Sequence, residues 1–116
     1  MKPWPKAYVY SNKGLENRDW WPSARYLGRY FFLHGGITKQ SKRSLQRSYE
    51  FMAKASGMSI DYFTAQKDIE GLFAVCFLQQ VVVVTSDPWF VGKFGWVLGR
   101  IAILPNPIEC GGAEGF

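Results

Sequence analysis

The chain has 116 residues, enough for one domain with a modest core and too few for two. An apolar fraction of 47% excludes wholesale disorder, and a formal net charge of +5 points to a polyanionic partner. Two cysteines with no CxxC pair exclude a disulfide framework.

In chain order, residues 1–18 carry Pro3, Pro5, Asn12 and Gly14 around the apolar patch Ala7-Tyr8-Val9-Tyr10. They read as an extended arm with room for one strand. The opening Met1-Lys2-Pro3-Trp4-Pro5-Lys6 has no apolar core segment and no cleavage site, so a secreted protein is not expected. From Asp19 the signals turn helical. Asp19 and Pro22 suit a first turn and Gly35-Gly36 a stop, with Ala24, Leu27, Gly28 and Phe31 on one face and Arg25 and Arg29 on another. Thr38 is the expected cap of a second helix ending at Gly57. Its stripe is Leu45, Tyr49, Met52, Ala53 and Ser56, with Lys42, Arg43, Arg47 and Lys54 mostly outside it.

Ser59 opens a third expected helix. Ile69, Leu72, Phe73, Cys76, Phe77 and Gln80 recur at three- and four-residue spacing, although the run Val81-Val82-Val83-Val84 favours a strand. Ser86-Asp87-Pro88 marks a fourth start, and Pro105 and Pro107 end it. The expected fold is mainly α, one domain over residues 1–116 with about four helices. It divides into an extended N-terminal arm (1–18), a basic aromatic helical half (19–68), an apolar helical hairpin (69–104) and a flexible tail (105–116).

Chemistry is sparse. His34 is the only histidine and sits by Gly35-Gly36, where it suits a helix end. No second histidine completes a zinc site; Cys76 reads as a small buried hydrophobe and Cys110 as an exposed thiol. Asp61, Asp68 and Glu70 lie near one another, but Glu70 is not at helical-neighbour spacing from Asp68, and no phosphate-binding loop or nucleophile elbow is present. The expectation is no enzyme, no cofactor, no metal and no small-molecule substrate.

Two functional readings follow. Met52-Ala53-Lys54-Ala55-Ser56-Gly57-Met58-Ser59 resembles the core of a helix-turn-helix, with Phe63 at the inward position of the second helix. Gln66 breaks the inward pattern, and Asp61, Asp68 and Glu70 face Lys67 as the sole cation of that segment. The favoured reading rests instead on residues 69–104. There Gly92, Gly95 and Gly99 fall on one face of an expected helix, close-packing another helix as small residues do in lipid. This gives a non-catalytic accessory or scaffold subunit of a membrane-associated complex, contacting other subunits through the glycine face. Arg25, Arg29, Lys39, Lys42, Arg43 and Arg47 would lie on an anionic membrane surface, on the cytoplasmic or matrix side. The alternative partner is nucleic acid, bound by a soluble helix-turn-helix protein.

Overall fold

A computed structural model describes residues 3–23, 26–36 and 40–109. It overturns the helical expectation: the fold is mainly β, one curled sheet of four antiparallel strands with three short helices among the described residues. The elements are α1 (Pro5–Tyr10), β1 (Leu15–Arg18), β2 (Tyr30–Gly35), α2 (Lys42–Ser56), α3 (Ile60–Thr64), β3 (Gly71–Val82) and β4 (Phe94–Ile108). The sheet order is β1-β4-β3-β2, so the C-terminal hairpin forms the centre and the two early strands form the edges.

The apolar hairpin is therefore two long strands, not two helices. Its β-branched residues fit a pleated surface, but three register shifts in the β3–β4 pairing disturb simple alternation. At the first of these, Phe73 and Ala74 are both buried, which turns a spacing of two into a spacing of three. That irregularity imitates a helical stripe. The glycine face disappears with the helix: Gly92 precedes β4, with φ +84°, and Gly95 and Gly99 lie within β4. Ser86-Asp87-Pro88 starts a turn, where Asp87 caps Trp89 through Oδ1 at 2.9 Å and accepts from the Phe90 N–H at 3.0 Å. No helix among the described residues is long and apolar enough to cross a membrane, so the membrane-subunit reading loses its basis.

The first expected helix is also absent. Its second half is β2, with His34 in the strand rather than at a helix end, and the residues before it cross between the sheet edges. Trp20 and Trp21 of that crossing pack edge-on against Trp96 and Phe94 of β4. The expected arm contains α1 instead, whose proline at the first helical position needs no backbone donor. Only the second helix matches, ending at Gly57 in the left-handed conformation (φ +78°) and capped at its start by Ser41 rather than Thr38, which lies outside the described residues. Ser59 does cap a helix, but α3 stops after five residues with Phe63 buried. A recognition helix that short leaves Gln66 and Lys67 off it, and the helix-turn-helix reading fails.

Two hydrophobic clusters share α1. Tyr8 joins Phe31, Leu33, Phe73, Cys76, Leu78, Trp96 and Leu98 on the inner face of the sheet. Ala7 joins Tyr49, Met52, Phe63 and Trp89 on the helical side. The helix is thus a wedge between the sheet and the α2–α3 pair.

Candidate ligand-binding cleft

The turn after α1 places Lys13 at the mouth of a cleft. The Lys13 N–H donates to Ala7 O at 3.3 Å, and Gly14 O accepts from the Leu98 N–H at 2.9 Å, which docks the turn onto β4. The four residues of β1 then alternate. Leu15 pairs with Val97 and Glu16 with Trp96, so Glu16 faces the inner side with Trp96.

Glu16 is buried, and its carboxylate organises the cleft. Its Oε1 accepts from Tyr8 Oη at 2.9 Å and lies 3.8 Å from Lys13 Nζ; its Oε2 lies 3.0 Å from Arg18 Nη2. The Glu16 carboxylate therefore sits between two cations, and the Asp87 carboxylate also acts on Lys13. Lys13 is 5% exposed, with its ammonium 4.6 Å from the centre of the Tyr8 ring and 5.0 Å from that of Trp4. Burial pushes its pKa below the ordinary lysine value, and Glu16 opposes that shift. Burial and the Glu16 charge hold the Tyr8 phenol well above its usual range, and push the Cys76 thiol up to about 12. Cys76 is therefore a buried, unreactive thiol; Cys110 lies outside the described residues.

Above the cluster is a cavity of about 200 Å³ lined by Trp4, Lys13, Glu16, Asn17, Arg18 and Val91. Asn17 fixes its far wall, donating to Trp89 O at 2.9 Å and accepting from the Val91 N–H at 3.0 Å. The Arg18 guanidinium lies 5.0 Å from the centre of the Trp20 ring and 5.7 Å from that of Trp96. Trp20 remains 52% exposed, so an open indole sits beside the cationic floor.

None of these cleft residues was among the expected contacts. Of those, Lys42, Arg43 and Arg47 are exposed on α2, and Arg29 is exposed just before β2. Arg25 and Lys39 lie outside the described residues. Gly95 and Gly99 make close contacts of another kind. A Cβ on Gly95 would come within 3.0 Å of Phe90, Leu15 and Val82 side chains, whereas on Gly99 it would come within 3.0 Å of the Gln79 amide end alone. Comparison with protein-family models, with curated proteins and with solved structures finds no match for this chain.

Proposed function

We propose that the chain is a non-catalytic module that binds single-stranded nucleic acid, seating one base in the cleft between α1 and β1. The observation that carries this reading is the Lys13–Glu16–Arg18 cluster, two largely buried cations on one carboxylate beside aromatic rings. A nucleobase offers carbonyl and ring-nitrogen acceptors to the cations and a π-face to tryptophan, and stacking on an aromatic side chain contributes about 1–3 kcal/mol per base. The cavity is smaller than the roughly 300–1,000 Å³ of pockets for drug-sized ligands, which suits one ring system rather than a whole cofactor. Lys42, Arg43 and Arg47 add an exposed cationic face for phosphates. Binding rather than catalysis is favoured because both Glu16 oxygens are already engaged, one by Tyr8 and one by Arg18.

Titration of tryptophan fluorescence with a single-stranded oligonucleotide tests the proposal. Binding should weaken linearly in log–log terms as salt rises. Arg18→Gln and Lys13→Met should each cost about tenfold or more, in line with the ~1.5–3 kcal/mol of a hydrogen bond to a charged group. Vesicles of anionic lipid serve as competitor, since the α2 cations would meet any polyanion. Equal affinity in parent and cleft variants, or no binding at low salt, would overturn the reading.

A further inference from the structure

The two edges of the sheet are built differently. On one side β1 is four residues long and carries Glu16 and Arg18, while the part of β4 beyond it carries Arg100, Pro105 and Pro107. Charges, short length and prolines are the usual means of blocking an edge strand. On the other side β2 reads Tyr30-Phe31-Phe32-Leu33-His34-Gly35, with no proline, lysine, arginine or carboxylate.

Its backbone polarity can be followed residue by residue. A one-residue bulge opens the strand: Gly28, at φ +74°, donates its N–H to Leu78 O at 2.9 Å, and the Leu78 N–H donates to Arg29 O at 3.0 Å. Alternation from Arg29 turns the N–H and C=O of Phe31 and Leu33 toward β3, and those of Tyr30, Phe32 and His34 away from it. Among the described residues no backbone group bonds to that outer side. The same three residues alternate toward the outer face of the sheet, where Tyr30 is 55% and Phe32 46% exposed. Tyr30 is fixed there, edge-on to Phe77 at 5.2 Å, with its hydroxyl accepting from Arg100 Nη1 at 2.9 Å. Arg100 holds this position from a left-handed backbone (φ +51°), which a non-glycine residue adopts at some cost.

We propose that two copies of the chain pair antiparallel along β2, giving a continuous sheet with four strands from each copy. A two-fold axis at Phe32 sets Phe32 against Phe32 of the second copy and Tyr30 against its His34, with all outward N–H and C=O groups of these residues paired. Arg29 then falls opposite Gly35, so no like charges meet. Self-pairing is favoured over a foreign strand because the edge is self-complementary in both hydrogen bonding and charge. A six-residue edge is a small contact, so association belongs to the weak, concentration-dependent class.

This inference concerns the outer edge and is independent of the cleft. Sedimentation equilibrium of the full chain should show reversible dimerisation. Phe32→Lys, placing two cations against each other at the axis, should weaken it by about tenfold or more; Val84→Lys, at an exposed turn, should not. In the parent protein, hydrogen exchange at Tyr30, Phe32 and His34 should slow as concentration rises. A parent that stays monomeric at every concentration overturns the proposal. So does a dimer indifferent to Phe32→Lys, or exchange at those amides that is independent of concentration.

Discussion

Lys6 and Lys13 stand seven residues apart, and both are almost fully buried, at 2% and 5% exposure. Their surroundings differ. Lys6 directs its ammonium to Tyr49 Oη at 2.7 Å, Phe63 O at 3.2 Å and Asp68 Oδ1 at 3.3 Å, one oxygen for each proton. It ties α1 to α2, to α3 and to the segment that follows. Among the described residues Lys13 has one carboxylate oxygen in ion-pair range, at 3.8 Å, two aromatic rings, and the Asp87 charge acting from further off. Equal burial of the same side chain thus conceals two roles. A lysine whose donors are all used holds a structure together, whereas one with donors to spare beside a cavity is ready for a ligand.

Four measurements bear on that contrast. Lys6→Met should have the largest effect, because Tyr49 and Phe63 O lose their buried donor; the expected loss is about 2–4 kcal/mol by denaturant unfolding. A loss near zero would remove the structural role. Gly95→Leu should cost about 1–3 kcal/mol through over-packing against Phe90, Leu15 and Val82. Since Leu15 carries β1, this change should also weaken oligonucleotide binding, while Gly99→Leu should do neither, because the Gln79 side chain can swing aside. Lys13→Met should change stability by less than about 1 kcal/mol, since it removes a desolvated charge and leaves Glu16 held by Tyr8 and Arg18. A larger loss would make Lys13 structural, like Lys6.

The smallest effect is one of pH. The folded-state pKa of Lys13 lies below 10.5, so the cost of its buried charge is full at neutral pH and fades as pH rises toward 10.5. The stability of the parent minus that of Lys13→Met should therefore increase over that window. Tyr8 and Cys76, both shifted upward, lose stability with rising pH, but they are common to the two proteins and cancel in the difference. A difference that stays flat would mean that the ammonium is well solvated.

What was legible in the sequence follows the same division between regular and interrupted pattern. The α2 stripe of Leu45, Tyr49 and Met52 and the stop at Gly57 could be read because nothing interrupts a 3.6-residue period there. β3 and β4 could not, because bulges break the two-residue period and leave a spacing that suits a helix. The Val81–Val84 run is the sounder local signal, and its first two residues close β3. The cleft was hidden for another reason. Glu16 and Arg18 are two apart, a same-face spacing only on a strand, and Pro3, Pro5, Asn12 and Gly14 make residues 1–18 read as an extended arm. Read as a strand, Glu16-x-Arg18 places an acid and a cation on one face, with Lys13 in the turn just before it, which was the available clue.

The strand order has a consequence for how the chain becomes this shape. β1 finds its sheet partner in β4, and β2 finds its own in β3, so both edge strands are made long before the central hairpin that joins them. On a ribosome, Phe31 and Leu33 must wait for residues beyond 70 before they can be covered by the sheet core. The helical side depends less on that delay, since Ala7, Tyr49, Met52 and Phe63 all precede the hairpin and lack only Trp89. Assembly should accordingly run from helices to sheet, with the sheet closing last over long sequence separations and therefore slowly. Until it closes, the apolar strand β2 of the newborn chain is open to any other strand it meets.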